Sequence, residues 1–484
     1  MRSTLDVMPD LIRHPLFARE GGRRPTARLA LMCAIAIIPM AGWSQAAPAG
    51  SVSAPSTAAT AVPLTLSQAY QAALVQDSVI RAARASAEAR RERLPQARGQ
   101  LLPNVSASVS RNKNKLTATQ PGFLGPVTSD QDYTSSAKIL SIRQPIFRPF
   151  QFADYRQAKA QVEDAEAALD KEVQNLAVRV GGAYLEALLA EDQLALVVAQ
   201  KQAYTTQLDA SRKRLAGGAG VRTDIDDAQA RLDLTLAQEL EARQNIDFTR
   251  RQLQVLVNVP VTQLAPLDER KLELVDPNPP RLQDWVDRAE LTSPELRSLR
   301  AQVEAARFEI EKARSGHLPT LDAIAQWAIT ENDTVTQTNS RFNNKAIGVQ
   351  LNVPIYSGGF VSSQTRQAVA DLDRLQETLE ATRRDLGMRI EKEFRGITEG
   401  VLRVRALEQA VRSAETSVLS SRRSFEGGAR TVVDVLNAEQ QQVSALRDLA
   451  NARYLYMISR IRLRSLAGEA DAAAIDEVNA WLKL

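Results

Sequence analysis

Few residues in this chain are equipped for chemistry. There are two histidines, His14 and His317, and one cysteine, Cys33. No nucleophile motif, phosphate-binding loop or metal-ligand spacing accompanies them, and the many Asp and Glu residues ride on helical repeats as solvated faces do. The expectation is a protein that is not an enzyme and holds neither cofactor nor metal. The most suggestive polar residues follow two glycine-rich turns. Gly217-Gly218-Ala219 leads to Thr223, Asp224 and Asp226, and Gly427-Gly428-Ala429 leads to Arg430, Thr431, Asp434 and Asn437. The Thr-x-x-Asp spacing of Thr223/Asp226 and Thr431/Asp434 is that of a helix cap, in which hydroxyl and carboxylate each accept a backbone N–H.

The turns end very long helices. Phe152 to Ala216 contains no proline, and apolar or small residues recur at alternating steps of three and four through Leu176, Val180, Ala183, Ala187, Ala190, Tyr204 and Leu208. That is a heptad seam, and at 1.5 Å per residue a helix over 150–216 would run about 100 Å. Residues 360–426 repeat the habit through Leu386, Ile397, Val401, Val404, Val411 and Val418. Returning helices are expected over 223–257 and 432–467. Shorter stretches alternate with period two and read as strands at about 103–112, 135–147, 319–331 and 345–356. Ile347, Val349, Leu351, Val353 and Ile355 against Gly348, Gln350 and Asn352 is the clearest case.

The chain is a tandem duplication. Ala97-Arg98 with Leu102-Pro103 returns as Ala313-Arg314 with Leu318-Pro319, an offset of 313 − 97 = 216. Gln144-Pro145-Ile146-Phe147 returns as Val353-Pro354-Ile355-Tyr356, offset 209, and Gly217-Gly218 returns as Gly427-Gly428, offset 210. The expected plan is a first repeat at 64–259, an irregular link at 260–288, a second repeat at 289–468 and a tail at 469–484.

Ahead of the repeats, Arg23, Arg24 and Arg28 precede an apolar run from Leu29 to Gly42, so 1–46 reads as a signal peptide too short to serve as a spanning helix. Cys33 lies inside it without a lipobox, and removal leaves no thiol. Residues 47–63, rich in Ala, Pro, Ser and Thr, read as a flexible leader. The 61 basic and 57 acidic residues, net +4, are spread along the chain and form no face for nucleic acid.

Four strands of membrane-spanning length cannot close a barrel, and lipid tolerates no open sheet edge. The missing strands must come from other copies, two giving eight strands and three giving 12, of which only the larger would enclose a useful aqueous lumen. Phe147, Phe150, Phe152, Tyr356 and Phe360, where strands meet helices, fit an aromatic girdle at the membrane interface. A soluble periplasmic coiled-coil adaptor or scaffold, which would share the leader and the heptads, has no use for such strands.

The duplicated plan, the Leu-Pro steps, the strand exits and the turn from Gly428 to Ala438 resemble the TolC family of outer-membrane factors over roughly Leu64 to Gly468. The resemblance implies a homotrimer with a 12-stranded β-barrel in the outer-membrane lipid and a 12-helix α-barrel tunnel through the periplasm. It implies docking to a periplasmic adaptor and an inner-membrane ABC or proton-driven transporter, for type I protein secretion or, alternatively, small-molecule efflux. The absent lipobox favours secretion by analogy with the family. In similar proteins the closed entrance is latched between an Arg and an aromatic hydroxyl of the second turn and a Thr-Asp pair of the first. The matching positions are Arg430 and Phe425, and Thr223 and Asp224. Phe425 has no hydroxyl, which implies a looser latch. Members of the family also carry acidic rings at the entrance; the matching positions are Asp434 and Asn437, so one carboxylate is an amide, and a ring of Asp434 that draws cations and is blocked by multivalent metal is compatible with its use as a cap.

Overall fold

The computed structural model describes residues 63–483 apart from 124, 219, 335 and 336. The expected signal peptide, with Cys33, and nearly all of the leader lie outside the described residues. Helices α1 (Leu66–Gln76), α2 (Ser78–Arg91) and α3 (Arg93–Gly99) lead into β1 (Asn104–Gly122) and β2 (Gly125–Phe147), then α4 (Pro149–Ala216) and α5 (Arg222–Val257). After a link come α6 (Leu282–Thr292), α7 (Pro294–Arg314), β3 (Thr320–Thr334), β4 (Gln337–Asn352), α8 (Phe360–Glu426) and α9 (Val432–Leu466). Helix α10 (Ala472–Asn479) ends the chain. No described helix is long and apolar enough to cross a membrane.

The 68-residue α4 and 67-residue α8 each extend about 100 Å. Their heptad positions are the buried ones: Leu176, Val180, Ala187, Tyr204 and Leu208 on α4, and Leu386, Ile390, Ile397, Val401 and Val404 on α8. Toward the strands α4 packs on α7, and toward the glycine turns it packs on α5, while α9 covers both α8 and α4. Gly181 allows the close approach of α9, because a Cβ there would lie 2.7 Å from Ile461 Cδ1.

The largest core lies midway along the long helices, where Leu66, Ile80, Leu176, Tyr184, Leu253, Leu386, Tyr456, Ile475 and Leu482 cluster. Two tyrosine hydroxyls fasten the irregular link to it. Tyr184 donates to the Leu64 carbonyl at 2.8 Å and accepts from the Ala265 amide at 3.1 Å. Tyr456 accepts from the Val275 amide at 3.1 Å and lies 3.0 Å from the carbonyls of Glu273 and Val275.

The link is less irregular than 260–288 predicts. Helix α6 begins inside that span, because Trp285 and Ala289, four residues apart, bury on one face, and the Trp285 indole donates to the Pro279 carbonyl at 2.9 Å. The tail is ordered too, with the Asp268 amide bonded to the Trp481 carbonyl at 2.8 Å and Leu482 fully buried.

The strands form one antiparallel sheet in the order β1-β2-β3-β4. Several boundaries depart from expectation, among them the start of β4, at Gln337 rather than 345, and the end of β3, at Thr334 rather than 331, because those two strands pair on to Thr334↔Gln337. β1 and β2 pair with each other from Asn104↔Arg143 to Gly122↔Gly125, so what reads as a loop over 113–134 is a hairpin continuing past the tip of β3. β4 stops at Asn352 rather than 356, because its neighbour β3 begins at Thr320, opposite Asn352, and the chain beyond has no strand to pair with. Pro354, lacking an N–H, could not extend that ladder.

Candidate functional site

The register sorts the sheet into two faces. Val105, Ile142, Ala325 and Ile347 stand in one row, and Ala323, Val349, Leu321, Leu351 and Val109 continue that face. On β1, β2 and β4 these side chains are exposed although apolar, Ile347 at 91%, and on β3 Leu321, Ala323 and Ala325 are half-buried. The opposite face carries Ser106, Ser108, Ser110, Ser141, Gln326 and Gln350. An exposed apolar face of this extent belongs against lipid, and a hydroxyl and amide face belongs against water. Along β3 the apolar band from Leu321 to Ile329 spans eight residue steps, about 26 Å along the strand and about 20 Å at barrel tilt, close to the band of a membrane barrel. Edges β1 and β4 are unpaired in one chain, and three copies closing β1 against β4 give the 12 strands of the barrel.

Where the sheet meets the helices, Phe147, Phe150, Phe152, Tyr356 and Phe360 are all exposed. The Lys312 ammonium lies 5.3 Å from the Phe150 ring centre. On the polar side of the same junction Arg148 Nε donates to Asp322 Oδ1 at 2.8 Å, with a second bond from Nη2 to Oδ2. This two-pronged pair ties the start of α4 to the base of β3.

At the far end the second turn is built from backbone hydrogen bonds. Ala429 N–H bonds the Ser424 carbonyl at 2.8 Å and Gly428 N–H bonds the Phe425 carbonyl at 3.0 Å, with Gly428 at φ 75° where a side chain would be strained. The first turn matches, with Gly218 at φ 73° and its N–H on the Leu215 carbonyl at 3.0 Å, one residue beyond Gly217. Gly427 is the cap residue in the second copy, as Gly217 is in the first.

The two Thr-x-x-Asp sites then diverge. Thr431 caps α9: its hydroxyl accepts from the Asp434 amide at 3.3 Å, and Asp434 Oδ2 accepts from the Thr431 amide at 2.9 Å. The Thr431 amide first, then its hydroxyl, with Arg430 adding charge, hold the Asp434 carboxyl below the usual carboxylate range. Thr223, by contrast, lies inside α5 and caps nothing, because the helix begins one residue earlier, at Arg222, and its cap residue is Val221, whose side chain makes no hydrogen bond. Asp226 turns instead to Arg222 at 3.4 Å. Val221 and Thr431 are related by the duplication's own offset, 431 − 221 = 210. Thr431→Ala is therefore expected to speed amide exchange at the start of α9 by roughly fivefold, and Val221→Thr to slow it at the start of α5 by a similar factor, from about 1 kcal/mol per cap.

The structure does not bring Arg430 or Phe425 to Thr223 or Asp224 within one chain. Arg430 Nη1 donates to the buried Ser421 hydroxyl at 2.8 Å. Phe425 packs beside Tyr204, Val432 and Leu436, and the Arg214 guanidinium lies over its ring at 4.2 Å. Asn437, expected in an acidic ring position, accepts from Arg231 at 2.7 Å. Gln200 bonds both Tyr204 at 2.9 Å and Gln440 at 2.8 Å, and Arg422 pairs with Glu439 at 2.6 Å. Sequence reasoning missed Arg214, Arg231 and Ser421. The duplication sets the last turns of α4 and α8 at the same height, yet does not say which side chains cross between them.

A sheet lipid-facing on one side and hydroxylated on the other, standing on a helical shaft of about 100 Å, defines an outer-membrane channel continued into the periplasm. The chain belongs to the outer membrane efflux protein family, whose model matches residues 69–259 and 285–469, one stretch in each repeat. It is 36% identical to the alkaline protease secretion protein AprF of Pseudomonas aeruginosa over 86% of this chain and 87% of that protein. It is 31% identical to the proteases secretion protein PrtF of Dickeya chrysanthemi, over 86% and 91%. The fold matches the CmeC outer membrane channel of Campylobacter jejuni with a TM-score of 0.72 at 16% identity, over 87% of this chain and 90% of that one.

Proposed function

We propose that this channel is the outer-membrane duct of a type I protein secretion machine, passing polypeptide from an inner-membrane transporter and its periplasmic adaptor to the outside. The observation that carries the reading is the likeness, over nearly the whole of both chains, to two proteins named for protease secretion. The architecture supports it. A continuous shaft and barrel needs no substrate site of its own, and the serine-lined face of β1 offers a moving polypeptide neutral hydroxyls rather than charge.

The entrance is the turn end. Three copies there present Asp434 as a ring that draws cations, the capping bond to Thr431 keeping each carboxylate ionised. Asn437 contributes no charge and serves to hold α9 to α5 through Arg231. Phe425 and Arg430 keep the second turn seated on its own chain, while Thr223 and Asp224 stand on the first turn for contact between copies. The exposed aromatics at the strand bases form the periplasmic-side girdle. Mass spectrometry of the culture medium from a strain lacking this chain is expected to show one or two large proteins missing relative to its parent. An unchanged medium with heightened sensitivity to toxic small molecules would sink the secretion reading in favour of efflux.

A further inference from the structure

At the upper edge of the apolar belt, where Lys138 stands level with Val109 and Ile329, and on toward the β1–β2 hairpin tip, the lipid-facing side of the sheet turns basic. We propose that Arg111, Lys113 and Lys138 form a binding site for the phosphate groups of a phosphorylated glycolipid in the outer leaflet. The proposal rests on the membrane-barrel reading of the sheet and names a lipid for it. Arg111 and Lys113, two residues apart on β1, project to the same side as Val105 and Val109. Lys138 stands opposite Val109 and so lies diagonal to Arg111, about 7–8 Å across the ladder. That spacing lets two or three cations share one phosphate or a close pair of them.

Their availability is the second observation. Among the described residues none of these three side chains has a hydrogen-bond or ion-pair partner, and all are exposed. Among the described side chains the carboxylates on this face are spent or farther out: Glu331 pairs with Arg341 at 3.5 Å, Asp130 accepts from Thr117 at 2.5 Å, and Asp132 stands opposite Lys115, one row beyond Lys113. Level with Leu140, Trp327 stands on the same face with Lys345 5.8 Å from its ring, as an interfacial anchor does. A lipid is delivered to the spot by its acyl chains lying on the belt beneath.

The site also lies at a seam. β1 is one edge of the sheet and β4, bearing Lys345 and Arg341 on the same face, is the other. Closing the barrel sets β1 of one copy against β4 of the next, so a lipid held at Arg111 and Lys113 bridges two copies and resists their separation.

The test heats the detergent-purified trimer with diphosphorylated lipid A, its dephosphorylated form, or inorganic phosphate, and reads the temperature at which trimer becomes monomer. The diphosphorylated lipid is expected to raise that temperature. An R111Q/K113Q/K138Q variant should need about a hundredfold more lipid for the same rise. The charge-conserving K113R/K138R variant should respond as the parent does. An equal response from the triple variant, an equal effect of the dephosphorylated lipid, or stabilisation by inorganic phosphate alone would overturn the proposal. Planar-bilayer recordings separate the two layers. Channels from parent and triple variant alike leave the barrel reading standing whatever the lipid does, whereas no channels from either would overturn that reading and the proposal with it.

Discussion

Arg214→Ala is expected to raise the resting conductance of the trimer in a planar bilayer by roughly ten- to a hundredfold. Arg214 is on the last turn of α4 and Phe425 on the last turn of α8, and the guanidinium lies over the ring at 4.2 Å. It is thus a direct clamp between the two hairpin tips of one chain. A cation–π contact is worth about 0.5–1 kcal/mol when exposed. In a symmetric trimer whose tips move together the three contacts add to about 1.5–3 kcal/mol, and each 1.4 kcal/mol is a factor of ten in the open population. Because Phe425 has no hydroxyl to hydrogen-bond across the entrance, no stronger link at that ring masks the loss. Arg214→Lys keeps the charge but not the planar stack and should fall between. Arg212, two residues earlier, bonds Gln229 at 3.2 Å within its own hairpin, so Arg212→Ala is the control expected to leave conductance unchanged. If the Arg214 and Arg212 variants leak equally, the stack is packing and not a latch. Phe425→Tyr supplies the missing hydroxyl and should lower the leak of the parent protein.

The long helices were legible because three signals agree on them: no proline, a seam of three- and four-residue steps, and glycines where the chain must turn left-handed. The membrane sheet was legible as amphipathic strands, but not its extent. Residues 113–134 are largely polar, with Leu116, Ala118, Val127 and Tyr133 scattered and Pro121, Gly122, Gly125 and Pro126 near the tip, so no apolar alternation is sustained, and only the backbone ladder from Lys113↔Thr134 outward makes them strands. The opposite error arose at Val353 and Ile355, where alternation continues after the partner strand has ended; pattern records which face a residue would take, not whether a neighbour exists to pair with. The entrance shows the same limit at finer scale. Thr223/Asp226 and Thr431/Asp434 share a spacing, yet capping depends on where the first helical residue falls. α5 begins after Val221 and α9 after Thr431. Aligning the repeats by their glycines, rather than by Thr-x-x-Asp, places Val221 on Thr431 and would have exposed the difference. Contacts such as Arg231 on Asn437 join residues 206 apart in sequence and leave no local trace.

Midway along the shaft, Tyr456→Ala is expected to cost about 3–5 kcal/mol, and Tyr456→Phe about 1–2 kcal/mol, in the stability of the purified protein. Tyr456 is fully buried on α9, with its ring stacked on Trp481 at 6.0 Å and packed close to Gly400 of α8. Its hydroxyl accepts from the Val275 amide and from Arg460 at 3.0 Å. Arg460 in turn pairs with Glu477 of α10. One side chain therefore touches α8, α9, the link and the tail at the centre of the core they share. Truncation to Ala empties a space the rigid α8–α9 pair cannot collapse to fill, whereas Phe keeps the packing and loses only the hydroxyl's bonds. Thermal unfolding in detergent should separate the two variants by a wide margin, and limited proteolysis of the Ala variant should cut first within 260–281. Equal losses for Phe and Ala would mean that the hydroxyl, not the ring, holds the belt. The difference matters for export. The same midpoint must transmit any rotation of the hairpin tips to the barrel above, and a shaft whose α8–α9 pair, link and tail meet at one buried ring can twist there as a unit without separating.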